Sequence, residues 1–257
     1  MKESNFNNKD RVFIVAEIGN NHEGNFEVAK ELIKEASAAG ADAVKFQTYI
    51  PEKYVTSSDY KRVSMLKKFQ LSNDEFLELA KFAKQSNIIL FSTPFDLESA
   101  SFLNTFQDIF KISSGDNNFI QLIEKVFEFG KPTIISTGIT DLNHIKNIYL
   151  KWLNNYINFP LAFLHCVSSY PVPETDANIN VIKNMINEFP KAIIGYSDHT
   201  IGIEASIAAV SLGAKIIEKH FTLDKNYSEF RDHQLSSDPK ELKILVKSIR
   251  KVEIMMG

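Results

Sequence analysis

Cysteine occurs once, at Cys166, so no intramolecular disulfide can form and a reducing, cytoplasmic location is expected. Long apolar runs are missing as well. Nothing approaches the roughly 18 consecutive apolar residues of a membrane helix, and the opening MKESNFNNKDR has no apolar core of the signal-peptide kind. Charge of one sign is also scarce: 29 Lys+Arg against 32 Asp+Glu leave −3, which excludes the basic footprint of a nucleic-acid binder. No linker or low-complexity tract interrupts the 257 residues, so residues 1–257 read as one domain.

What is present is a repeated alternation. Short β-branched runs at 12–19, 42–48, 88–93, 109–114, 132–137, 161–166, 192–197 and 215–221 alternate with amphipathic stretches. The latter cover 26–39, 72–86, 96–106, 119–129, 140–155, 178–189, 202–212 and 238–256. Ser72 with Glu75 forms a capping box, and Gly40, Gly130 and Gly213 close three helices. Eight β/α units in a chain of this length predict an α/β fold, a single-domain (β/α)8 TIM barrel. An open doubly wound sheet is the runner-up, but GNNHEGN after the first strand is not the GxGxxG turn such a sheet usually carries. The longest irregular segment, 49–71, follows the second strand, on the face where barrels keep their chemistry.

Polar residues collect at the C-terminal end of every predicted strand. They are Glu17, Asn20, Asn21 and His22; Lys45 and Gln47; Ser92 and Thr93; Lys111, Ser113, Ser114 and Asp116 in the first four units. The other four supply Ser136 and Thr137; His165, Ser168 and Tyr170; Ser197, Asp198 and His199; Glu218, Lys219 and His220. Strand alternation turns Lys45, Gln47, Glu218 and His220 into the lumen and Lys219 away from it. Two buried lysines, Lys45 and Lys111, call for an anion between them, with Thr93, Ser114, Ser136 and Ser197 offering hydroxyls. A structural ion pair with Glu17 or Asp116 is the competing account, as capping is for each hydroxyl. His199 and His220, on adjacent strands, can share one divalent metal or serve as hydrogen-bonded core residues. His22, His165 and His233 stay open, and His144 reads as a surface helix residue. Parity disfavours Lys219 as a Schiff-base lysine, a part that Lys45 or Lys111 could take in an aldolase.

The blocks VAEIGNNHEGNFEVAKELIKEASAAGADAVKFQT, FSTPFD, FKISSGD, ISTG, LHCVSSYPVP, IGYSDHTIGIEASIAAVSLGA and IEKHFTLDKN resemble, in order, the barrel of the N-acylneuraminate (sialic acid) synthase family, over roughly residues 12–255. The resemblance implies condensation of phosphoenolpyruvate with the open-chain aldehyde of N-acetylmannosamine or a related sugar, with water, to give a nonulosonic acid and phosphate. It implies a divalent metal, Mn2+ before Mg2+ or Co2+, on His199 and His220. Phosphoenolpyruvate is then expected on Lys45, Thr93, Lys111, Ser114, Ser136 and Ser197. Glu17 and Glu218 are expected to position or deprotonate the water, and Gln47, Asp116, Tyr170 and Asp232 to meet the acceptor.

Three departures fall on the acceptor side. Family members usually continue into an antifreeze-like domain that supplies an arginine across a dimer, whereas this sequence ends at Gly257. The expectation is therefore a barrel without that domain, acting as a homodimer or with a separate antifreeze-like polypeptide, and with Arg231 replacing the arginine. Asp116 stands where Glu is common, and SEFRDH where Pro-Gly-Pro-Asp-His is common. Two other readings compete: a related synthase acting on a phosphorylated aldose, with Lys61, Arg62 and Arg231 as its second cationic pocket, and a non-catalytic sugar-acid-binding barrel.

Overall fold

The structure is a computed structural model that describes residues 11–257; the opening stretch, read above as lacking a signal-peptide core, lies outside the described residues. Eight parallel strands form one sheet: β1 (Phe13–Gly19), β2 (Ala43–Thr48), β3 (Ile89–Pro94), β4 (Phe110–Ile112), β5 (Thr133–Ser136), β6 (Leu161–Cys166), β7 (Ile193–Asp198) and β8 (Ile216–His220). Chain neighbours pair everywhere except between β3 and β4, and β1 pairs with β8, so the sheet curls into a (β/α)8 barrel. The hydrogen-bonded ladder is open between β3 and β4. There the carboxamide of buried Gln107 takes the place of a strand, accepting from the Ser92 N–H at 2.8 Å and donating to the Ser92 carbonyl at 3.3 Å.

Eight helices cover the outside: α1 (Phe26–Ala39), α4 (Asn73–Gln85), α5 (Leu97–Leu103), α6 (Ile120–Glu128), α7 (Leu142–Asn155), α8 (Val181–Glu188), α9 (Glu204–Ser211) and α11 (Pro239–Met256). All eight lie within the stretches expected from periodicity. The Ser72–Glu75 capping box opens α4, and Gly40, Gly130 and Gly213 follow their helices with positive φ, as expected. The segment 49–71 corrects the expectation of an irregular loop, since it holds α2 (Pro51–Tyr54) and α3 (Tyr60–Phe69). A further short helix, α10 (Asp232–Leu235), follows β8.

Alternation divides the core in two. Residues facing the helices build the larger cluster, while Phe13, Val15, Ala43, Phe91, Ile109, Ile134, Ala162, Leu164 and Ile216 fill the lumen. At the lumen position of β7 stands Gly195, where a Cβ would meet Leu164 Cδ2 at 2.6 Å and the Ile216 carbonyl oxygen at 2.5 Å. That missing side chain lets the two neighbours close the layer. The lumen is thus plugged below, and only its C-terminal end is free for chemistry.

Candidate active site

Continuing the inward parity one step beyond the apolar plug gives the polar layer. Glu17, Lys45, Thr93, Lys111, Ser136, Ser197, Glu218 and His220 all line one cavity of about 980 Å³ at the C-terminal ends of the strands, together with Ser114 and His199. Lys45 Nζ lies 2.7 Å from Glu17 Oε2 and 3.8 Å from Glu218 Oε2, and donates to Thr93 Oγ1 at 3.0 Å. Lys111 Nζ donates to Ser136 Oγ at 2.7 Å and lies 3.7 Å from Glu218 Oε1, which also accepts from Ser197 Oγ at 2.9 Å. The ion pair of Lys45 with Glu17 is therefore real, and Asp116 takes no part in it. Two lysines and two glutamates thus face one another across the layer.

The four groups are buried to different effect. Burial pushes Glu17 up to about 7, more than Lys45 can offset, while at Glu218 the two lysines outweigh burial and hold the carboxyl below its usual range. Burial pulls both lysines down; the carboxylates more than restore Lys45, whereas Lys111 stays lowered. One carboxyl is thus poised near neutrality and its neighbour is ionised.

Above this layer sit the imidazoles, with ring centres 5.2 Å apart. His199 Nδ1 is 2.8 Å from the Val167 carbonyl oxygen, so its Nε2 is left to face a ligand. His220 Nδ1 is buried with no hydrogen-bond partner, 3.9 Å from Asp232 Oδ2. Burial, and then His199, lower the His220 pKa well below the usual value, keeping the ring in the neutral form that ligation needs. Among the described residues no three His, Cys, Asp or Glu groups gather closely enough to hold a metal alone. An orphaned imidazole nitrogen beside a second imidazole fits a two-histidine site whose other positions go to water and substrate.

The mouth is built from two segments that lie outside the eight strands and their covering helices. On one side α3 presents Arg62, Met65, Leu66 and Phe69; on the other, the loop after β8 presents Ser228 to Asp232. Leu66 packs with Tyr49 and Phe95, and Phe69 meets Phe230 edge-on at 5.3 Å, which ties the sides together. Gly24 (φ +80°) allows this seating, because a Cβ there would fall 2.1 Å from the Lys68 carbonyl oxygen. Tyr170 stacks on His199 at 4.3 Å, and the Arg231 guanidinium lies over the Tyr170 ring, 4.7 Å from its centre. Gln47 is oriented by Asn20 Nδ2 at 2.8 Å, and Asn20 in turn accepts from the Tyr49 hydroxyl at 3.1 Å.

Among the expected acceptor residues, Gln47, Tyr170, Arg231 and Asp232 line the cavity and Asp116 does not. Asp116 accepts from Ser113 Oγ instead, within its own 3-10 turn. Several strand-end residues face outward and are structural. Ser92 shares a hydrogen bond with Thr48, His165 reaches the Ala177 carbonyl at 2.9 Å, and Asn21 joins Phe221 to Ser236. His22 accepts from the Gly24 N–H at 3.0 Å, with its pKa held near 4 by burial, and His233 contacts Thr222 and Glu23. His144 is half-buried, its Nε2 2.7 Å from the Asn117 carbonyl oxygen rather than out in solvent. Strand 6 shows what sequence reasoning missed: Cys166, not His165, lines the cavity, 3.8 Å from His199 Nδ1. Parity carried that signal.

Fold and site together define a (β/α)8 barrel enzyme with a charged lumen at its catalytic face. The chain belongs to the NeuB family, which it matches over residues 32–257. It is 47% identical over 247 residues to an uncharacterized protein of Methanocaldococcus jannaschii, spanning 95% of this chain and 72% of that one. It is 39% identical over 264 residues to the N,N'-diacetyllegionaminic acid synthase of Campylobacter jejuni, spanning 96% and 78%. In structure it is similar to the N-acetylneuraminic acid synthetase of Leptospira borgpetersenii, with a TM-score of 0.92 and 36% identity over 97% of this chain and 86% of the other.

Proposed function

We propose that this sialic-acid-synthase-like transferase joins phosphoenolpyruvate to the open-chain aldehyde of N-acetylmannosamine or a related amino sugar, with water, releasing a nonulosonic acid and inorganic phosphate. One observation carries the reading: two buried lysines, each bonded to a strand-end hydroxyl, share a single cavity with a pair of adjacent imidazoles. Lys45 with Thr93, and Lys111 with Ser136, Ser114 and Ser197, hold the carboxylate and phosphate of phosphoenolpyruvate. His199 and His220 hold a divalent ion, Mn2+ before Mg2+ or Co2+, which when bound supplies Lewis-acid polarisation of the acceptor aldehyde. Gln47, Tyr170, Arg231 and Asp232, which line the mouth, orient the sugar over C3 of phosphoenolpyruvate.

The bond made runs from C3 of phosphoenolpyruvate to the aldehyde carbon, whose oxygen takes up a proton. Water then adds at C2, and the C2–O bond to phosphate breaks as the ketone forms. Glu17, poised near 7, is the group that takes the proton from that water. Glu218 stays ionised between the lysines and positions them.

A second reading, a phosphorylated acceptor, draws on Arg62 and Arg231, which both line the mouth; Lys61 does not. Glu23, Glu229 and Asp232 share that mouth and offset the two guanidiniums, which favours a neutral sugar. The proposal extends to a cytoplasmic enzyme acting as a homodimer or with a separate antifreeze-like polypeptide over the acceptor side. Among the described residues no helix is long and apolar enough to cross a membrane.

The test is phosphate release from phosphoenolpyruvate with Mn2+ across N-acetylmannosamine, its 6-phosphate, mannose, 2,4-diacetamido sugars and arabinose 5-phosphate. Release that depends on one amino sugar, stops on chelation and returns with Mn2+ is the expected result. Release with arabinose 5-phosphate alone selects the second reading, and phosphoenolpyruvate binding without turnover on any sugar selects a binding-only barrel.

A further inference from the structure

Directly behind the two imidazoles, on the outer face of the sheet, lies an ion pair that the chemistry above does not use. Lys219 and Asp198 are both buried, with Nζ 3.3 Å from Oδ2. They face each other in the last rung of the β7–β8 ladder. Asp198 immediately precedes His199, and Lys219 immediately precedes His220. Beyond this rung, no backbone hydrogen bond among the described residues holds the chain after β7 against β8.

Side chains take over there. Lys219 Nζ donates to the Thr200 carbonyl, on the far side of His199 from Asp198. Asp198 Oδ1 accepts from the Thr200 N–H at 2.8 Å and its hydroxyl at 2.7 Å, while Oδ2 accepts from Ser206 Oγ of α9 at 2.6 Å. The backbone on both sides of His199 is thereby tied to the residue before His220. A buried ion pair adds little net stability by itself, so its use lies in fixing geometry.

We infer that Asp198 and Lys219 are positioning residues that set the spacing of His199 and His220, and through it the affinity of the site for a divalent metal. The inference rests on the two histidines sharing one ion. Outer residues that orient metal ligands typically change affinity by about ten to a hundredfold.

The experiment uses Lys219→Met, which removes both contacts, and Lys219→Gln, which keeps a donor for the Thr200 carbonyl, with His199→Ala as the control. Mn2+ affinity is read by calorimetry, and hydrogen exchange by mass spectrometry separately over β7 and over residues 199–201. Lys219→Met should weaken Mn2+ binding by about tenfold or more and speed exchange over 199–201, leaving β7 and metal-free phosphoenolpyruvate binding as they were. Lys219→Gln should fall between it and the unaltered protein, and it carries the test if Lys219→Met does not fold. Unchanged exchange over 199–201, or exchange that rises equally in β7, overturns the inference, the latter because it marks a merely structural role. If the unaltered protein and His199→Ala bind Mn2+ alike, the metal reading fails, and the exchange over 199–201 alone decides whether the pair positions the loop.

Discussion

Glu17 and Glu218 lie on neighbouring strands with the same residue type and nearly the same burial, yet their environments separate them. Lys111 and Lys45 both act on Glu218, while desolvation dominates at Glu17. A base with a pKa near 7 is ionised above that pH, so kcat/KM should climb as pH rises through about 7. Glu17→Gln should abolish that climb and lower kcat by about a hundredfold to a thousandfold. A pH series of phosphate release measures both. Lys111→Met tests the opposite charge. It removes one of two cations at the phosphoenolpyruvate position, so affinity should weaken by about ten to a hundredfold. It also strips Glu218 of a partner, so unfolding in urea should show a loss of about 3 kcal/mol. These residues were legible in the sequence because strand parity and position at a barrel's C-terminal face point the same way. Cys166 follows that parity too, but a lone cysteine beside a histidine directs attention to the histidine, which here turns outward. Asp116 fails for a different reason. It follows β4 in a 3-10 turn, where no strand parity governs its direction.

At the scale of elements, the strands were readable from alternation and the covering helices from their caps and apolar stripes. The segment 49–71 was not, because α3 buries only Leu66 and Phe69 and exposes most of its other residues, leaving too narrow a stripe to read as periodic. Its seating depends on partners far away in sequence, Gly24 and Phe230 among them. The open seam between β3 and β4 was equally invisible, since nothing local marks Gln107 as a substitute for a strand. Gln107→Ala should leave the buried N–H and carbonyl of Ser92 without partners and cost about 3 kcal/mol. Chemical denaturation measures that loss. Faster exchange of the Ser92 amide should accompany it, while amides in β6 and β7, across the barrel, keep their protection.

At the scale of the molecule, the two ends of the barrel divide the work. The C-terminal face gathers opposed charges around an open cavity, where they can be rearranged by substrate. The N-terminal face also gathers charge, but there it is tied up around one buried carboxylate. Asp42, buried at the start of β2, accepts from the Ile14 N–H at 3.0 Å and pairs with Arg11 at 2.8 Å and Arg250 at 2.9 Å. Arg250 also donates to the Val12 carbonyl and to Glu253. This network joins the chain entering β1 to α11, the last helix, and so closes the barrel between its first and last elements. No ligand could use it without breaking it. Asp42→Ala should therefore lower stability by about 3 kcal/mol, at the low end for a broken buried pair because both arginines keep partial access to water. Below its unfolding midpoint the variant should retain the kcat/KM of the unaltered enzyme, since the apolar plug separates Asp42 from the catalytic layer. Thermal unfolding and phosphate release, measured on the same sample, check the two halves together. A fall in kcat/KM at temperatures where the protein remains folded would mean that strain passes through the plug, and that the two faces are not independent.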